Sequence, residues 1–181
     1  MPFLKESVSL NNKGFAENEI LSIRNDYISS LPIKGIEKKV IVDKMPINFR
    51  YIGFILSAFP EAKIIHVQRN ASATCWSNYK QYFVSNSLCY CYDLKDVTEY
   101  YNLYNDLMKI WEASFGDRIY NLNYESLTTN QENKTRKLIK HLKLNWEDAC
   151  LKPHKNKRSV RTASQQQVRQ KVYQGSSEAW H

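Results

Sequence analysis

Apolar positions along the chain follow two alternating rhythms. Residues 16–30 place Ile20, Ile23, Tyr27 and Ile28 on one face at spacings of three and four, which predicts a helix. Val40-Ile41-Val42 is a short apolar run that stops at Asp43-Lys44-Met45-Pro46, the pattern of a buried strand ending in a loop. A helix is expected from near Ile47, carrying Phe49, Ile52, Phe54, Ile55 and Phe59 and ended by Pro60. Lys63 to Gln68 reads as a second buried strand. It delivers Arg69 and Asn70 to its carboxyl end, where a further helix opens at Ala71 and runs to about Phe83. The longest helix is expected over 94–115, with Tyr100, Leu103, Tyr104, Leu107, Trp111 and Phe115 as its apolar stripe. Gly116 ends it, and Ile119 to Tyr124 reads as a third strand. A helix at about 130–143 follows, its inner face set by Leu138, Ile139 and Leu142, and residues 152–175 read as a loop.

Three strands alternating with helices predict βαβ units, hence an α/β fold with a parallel sheet flanked by helices. In such folds ligands sit outside the carboxyl ends of the strands. Two of these ends carry cations, Lys44 and Arg69, while the third ends in Tyr124-Glu125. Two cations on one sheet edge point to an anionic ligand. The aromatic stripe of the long helix reads as core packing. No internal repeat or low-complexity linker divides the chain, so residues 1–181 are expected to form a single domain.

Charge sharpens this picture. The chain of 181 residues has 26 Lys+Arg against 18 Asp+Glu, a net charge of +8. Hydrophobic residues make up 43% and charged ones 24%, a globular composition. Residues 152–171 hold Lys152, Lys155, Lys157, Arg158, Arg161, Arg169 and Lys171 and no acid, which accounts for seven of the eight excess charges. Clustered Lys and Arg attract polyanions, so a non-catalytic nucleotide or polyanion binder is the alternative reading. That run has one aromatic neighbour, Tyr173, and no nucleic-acid motif, so no nucleic-acid partner is expected. The five glycines lie at least 18 residues apart, which excludes G-x-G-x-x-G and G-x-x-x-x-G-K-[ST] phosphate cradles. The start, Met-Pro-Phe-Leu-Lys-Glu-Ser, lacks an apolar signal region, and no 18-residue apolar window exists. A cytoplasmic protein without a membrane span is expected. The cysteines (75, 89, 91, 150) and histidines (66, 141, 154, 181) show no metal-ligand spacing, so no metal is expected.

Several segments carry a resemblance. Asp43-Lys44-Met45-Pro46-Ile47-Asn48-Phe49, Phe59 to His66, Arg69 to Ser77, Tyr124-Glu125-Ser126-Leu127, and Val160 to Ser164 with Gln167-Val168-Arg169 are similar to sulfotransferases. Together they resemble the tyrosylprotein-sulfotransferase-like branch found behind TPR repeats in bacteria, from about residue 15 onward. The resemblance implies a P-loop-NTPase-like parallel sheet and 3′-phosphoadenylyl sulfate (PAPS) as sulfuryl donor. The acceptor would be a hydroxyl of a protein tyrosine, a carbohydrate or a small molecule. It implies that Arg69, after a strand, and Ser77, eight residues on, bind the 3′-phosphate. A guanidinium fork suits a phosphate, and the helix opening at Ala71 points amide dipoles at the same anion. Lys44 matches the lysine near the transferring sulfuryl group, where a cation offsets the charge growing on the oxygens. Ser164, in S-x-x-Q-V, matches a serine near the sulfate, and Tyr124 a tyrosine beside the adenine. Arg161 is expected to fold over the donor's anionic end with the 152–175 loop.

The departures also matter. Related enzymes hold the 5′-phosphosulfate in a P-R-S-G-T loop after their first central strand, and no such sequence exists here. The acidic base that follows that loop has no counterpart either. Ala179 and Gln81 stand where relatives carry basic residues. The expectation is therefore the C-terminal two-thirds of a longer protein, lacking its first central strand and turning over poorly alone. A P-loop kinase would share the sheet topology, but S-x-x-Q-V and Asp43-Lys44-Met45-Pro46 argue against it.

Overall fold

In the computed structural model, residues 16–31, 40–83, 86–156, 167–178 and 180 are described, and the backbone divides into two units, Met1–Ala62 and Lys63–His181. In the first, α1 (Glu17–Ser30) begins as the pattern predicts. Glu17 and Glu19 sit in its first turn, where carboxylates suit the exposed amides, and Glu19 Oε2 accepts the Ala16 N–H at 2.8 Å. Pro46 opens a 3₁₀ segment, Pro46–Tyr51, because its missing N–H costs nothing in a first turn. This leads into α2 (Ile52–Ala58), whose Ile52, Leu56 and Ala58 are the buried ones among the unit's described residues. Arg24 of α1 donates to the Ala58 carbonyl at 2.9 Å and forks onto both Glu61 oxygens. Its guanidinium lies 4.9 Å from the Phe59 ring centroid, and the Tyr27 ring meets Phe59 edge-on at 5.3 Å.

The strand expected at Val40-Ile41-Val42 does not form. A strand exists through its hydrogen-bonded ladder, and among the described residues none pairs with this run. Val42 is accordingly 85% exposed.

The second unit holds the sheet. Strand β1 (Ile64–Gln68) is followed by α3 (Ala71–Tyr79), a 3₁₀ segment (Asn86–Tyr92) and α4 (Leu94–Phe115). Then come β2 (Ile119–Asn123), α5 (Tyr124–Thr129) and α6 (Gln131–Leu142). The two strands pair in parallel, Ile64 opposite Ile119 through Gln68 opposite Asn123. Their carboxyl ends therefore lie side by side. The core gathers Ala73, Cys91, Val97, Met108, Ile119, Leu122 and a buried histidine, His66.

Helix α4 starts where Asp93 caps the Lys95 and Asp96 amides. Its inner face differs from the expected stripe. Leu103 is 63% exposed, while Val97 and Met108 are buried. The face runs through Val97, Tyr101, Tyr104, Met108, Trp111 and Phe115, alternating spacings of four and three. Helix α6 stops at Lys143, whose left-handed backbone (φ 57°) lets the Leu144 N–H reach back to the Ile139 carbonyl. Among the described residues no helix is long and apolar enough to cross a membrane.

Candidate functional site

Both strands end in the same device. Asn70 lies two residues past the end of β1 and caps α3, its Oδ1 accepting the Ala73 N–H at 3.0 Å. Asn123 ends β2 and caps α5, its Oδ1 accepting the Ser126 N–H at 2.8 Å. A short amide side chain satisfies the orphan donors of a helix start and allows an abrupt switch from strand to helix. The residues at these switches, Arg69 and Tyr124-Glu125, are thereby held next to one another.

Glu125 ties the two ends together. Its Oε1 accepts the Asn70 N–H at 3.0 Å and the Ser177 hydroxyl at 2.5 Å, while Oε2 accepts from Asn123 Nδ2 at 3.1 Å. Burial on its own would push this carboxyl up, but the hydrogen bonds outweigh it and hold the group below the usual carboxylate value. Arg69 faces the same point. Its Nε donates to Ser177 Oγ at 3.2 Å and its Nη2 to the Ser176 carbonyl. The guanidinium lies 5.5 Å from the Tyr124 ring centroid, and the Tyr124 hydroxyl meets Ser176 Oγ at 2.9 Å. The serines belong to a turn, Gly175 to Glu178, closed by the Glu178 N–H on the Gly175 carbonyl. Gly175 adopts φ +88°, a left-handed conformation that L side chains rarely take.

Beside this cluster opens a cleft of about 420 Å³, lined by both strand ends and by Tyr101, Tyr104 and Asn105 of α4. Behind it, His66 Nε2 lies 2.5 Å from the Tyr104 hydroxyl and Nδ1 lies 2.8 Å from Asn121 Oδ1. Asn121 donates its own amide to Glu112 Oε1 at 3.0 Å, so it offers His66 an acceptor oxygen. The acceptor oxygen of Asn121 makes Nδ1 the donating nitrogen of the His66 ring. Burial pushes the Tyr104 phenol up to about 12, keeping it a donor.

The structure brings Arg69 and Tyr124 of the expected residues together. Ser77 lies in α3, half-buried, and no hydrogen bond joins it to Arg69. Lys44 belongs to the first unit, exposed, directly after an aspartate whose Oδ2 accepts the Tyr27 hydroxyl at 2.8 Å. Ser164 and Arg161 lie outside the described residues. Sequence reasoning placed Glu125 at a strand's carboxyl end without giving it a role, and it missed Ser176 and Ser177. A signal existed for the serines: Gly-Ser-Ser is a turn composition beyond an otherwise aperiodic segment.

Comparison with known proteins bears on this site. The family model described as "Sulfotransferase family" matches residues 11–148. An uncharacterized protein of Aquifex aeolicus (strain VF5) is 38% identical over 168 residues, which cover 92% of this chain and 22% of that protein. Omega-hydroxy-beta-dihydromenaquinone-9 sulfotransferase Stf3 of Mycobacterium bovis (strain ATCC BAA-935 / AF2122/97) is 30% identical over 114 residues, 59% of this chain and 29% of that protein. The protein of the same name from Mycobacterium tuberculosis (strain CDC 1551 / Oshkosh) matches equally. The aligned segments thus span only 22% to 29% of the length of these relatives.

Proposed function

Because the chain belongs to the sulfotransferase family, we propose that it takes part in transfer of a sulfuryl group from PAPS to an acceptor hydroxyl, with Arg69 on the donor's 3′-phosphate. The observation that carries this reading is the disposition of Arg69. Two of its guanidinium nitrogens already converge on two oxygens, the Ser176 carbonyl and Ser177 Oγ. A phosphate offers oxygens to the same fork. The Tyr124 ring against the guanidinium gives an adenine an aromatic and a hydroxyl to meet.

In this reading Ser77 completes the 3′-phosphate site from the helix that Asn70 starts. Lys44, Ser164 and Arg161 serve the sulfuryl end. During transfer the acceptor oxygen bonds to sulfur while the bond from sulfur to the phosphate oxygen breaks. 3′-Phosphoadenosine 5′-phosphate (PAP) leaves with the bonding pair, and the acceptor's proton goes to solvent or a base. A lysine near those oxygens stabilises their growing charge. Protein tyrosine is the acceptor that the motif resemblance favours, and the omega-hydroxyl of a dihydromenaquinone is the one that the mycobacterial relatives' name would suggest. The 181 residues contain no P-R-S-G-T stretch, so donor binding is a better readout than turnover.

The test is calorimetric titration of the chain with PAP. Arg69→Ala is expected to weaken binding at least tenfold, about 1.4 kcal/mol, as for loss of a charged hydrogen-bond partner. Equal affinity in both proteins would overturn the assignment.

A further inference from the structure

Lys44 is the proposed cation of the sulfuryl end, and its setting raises a physical question. Residues 40–45 have no ladder among the described residues, and Val40 and Ile41 are about half exposed and Val42 more. A backbone without sheet hydrogen bonds or burial does not fix a lysine by itself. After Lys44 the Met45 carbonyl accepts the Asn48 N–H at 3.0 Å, and before it one side-chain tie reaches residues 40–44 among the described residues: the Tyr27 hydroxyl donates to Asp43 Oδ2 at 2.8 Å. No other hydrogen bond between described residues is made by 40–44.

The donor end of that tie is firmly held. The Tyr27 ring packs edge-on against Phe59 at an interplanar angle of 72°. Phe59 in turn lies beneath the Arg24 guanidinium, which is locked by the Ala58 carbonyl and by Glu61. The hydroxyl therefore sits at the end of a packed column running from α2 through α1. Burial first, and Asp43 second, push the Tyr27 phenol up to about 12, so it remains a donor wherever the protein is used near neutrality.

We infer that Tyr27 is a positioning residue for Lys44, acting through the carboxylate of Asp43. The inference rests on the reading of Lys44 given above and adds to it the device that aims the lysine. A charged group misplaced by about 1 Å loses much of its effect, up to roughly a hundredfold in a well-ordered site.

The test compares PAPS and PAP affinities of the chain as wild type, Lys44→Ala, Tyr27→Phe and the double variant. Lys44→Ala should weaken PAPS binding more than PAP binding. Tyr27→Phe should do the same, by roughly tenfold on PAPS, and should add nothing further in the Lys44→Ala background, since a tie that acts through the lysine has no effect once the lysine is gone. Asp43→Ala, which leaves the Tyr27–Phe59 packing in place, should reproduce Tyr27→Phe. Asp43→Asn, which still offers the hydroxyl an oxygen, should retain most of the affinity. If wild type binds neither nucleotide, or Lys44→Ala leaves PAPS affinity unchanged, the role of Lys44 falls and this inference with it. If Lys44→Ala weakens PAPS binding but Tyr27→Phe and Asp43→Ala do not, or act equally without the lysine, the positioning role alone is overturned.

Discussion

Glu125 gathers three donors on two carboxylate oxygens, and its charge is therefore linked to folding. Its value in the folded protein lies below the ordinary 4.5. A carboxyl lowered by folding contributes stability that is fully present above its unfolded value and is lost as pH falls through the lower, folded value. Denaturant midpoints of wild type should fall in that acid window. Glu125→Gln should be less stable at neutral pH and should lack that part of the acid dependence; an unchanged acid profile would contradict the linkage. Arg69 was legible in the sequence because an arginine after an apolar run and before an asparagine cap is a local pattern. The role of Glu125 was not, since two of its three donors lie 55 residues upstream and 52 downstream. The register of β1 on β2 brings Asn70 to it and the Gly175–Glu178 turn brings Ser177, and no reading along one segment supplies either.

Helix α4 shows how far an element can be read. Its bounds and its existence followed from periodicity and from Gly116, but its rotation did not. Leu103 and Tyr104 are neighbours, and spacings of three and four admitted both into the expected stripe. The sheet keeps Tyr104, whose hydroxyl meets His66, and leaves Leu103 exposed. Met108→Ala should therefore cost about 2–5 kcal/mol, as for a buried methionine, whereas Leu103→Ala should stay within about 0.5 kcal/mol of wild type. Equal costs from chemical unfolding would restore the expected stripe. Helix α5 escaped notice because six residues are too few to show a period. The Val40 run misled for the opposite reason: its composition suits a strand, but composition carries no information on whether a neighbour pairs with it.

At the scale of the molecule, the α/β class and the segments shared with sulfotransferases were legible, because alternation of elements and short motifs survive without knowledge of contacts. The basic run was legible as charge only, and Arg161 and Ser164 within it lie outside the described residues. If the strand-end site takes the donor's nucleotide, PAP must stabilise the folded chain by mass action. At a hundredfold excess over Kd the gain is about 2.7 kcal/mol, read as a rise in melting temperature, and a tenfold weaker Arg69→Ala should show about half of it, about 1.4 kcal/mol, at the same concentration. A rise of equal size in both proteins would place the nucleotide elsewhere. The Gly175 turn adds a consequence for every such titration. The Ser176 carbonyl and Ser177 hydroxyl already occupy the Arg69 fork, so an incoming anion competes with a tethered occupant that dilution cannot remove. Measured affinity then equals the intrinsic affinity scaled by the fraction of molecules whose turn has vacated the fork. If Arg69 takes the donor's 3′-phosphate, the turn acts as a tethered competitor at constant effective concentration, and any change that strains or frees it will alter binding without touching a single ligand contact.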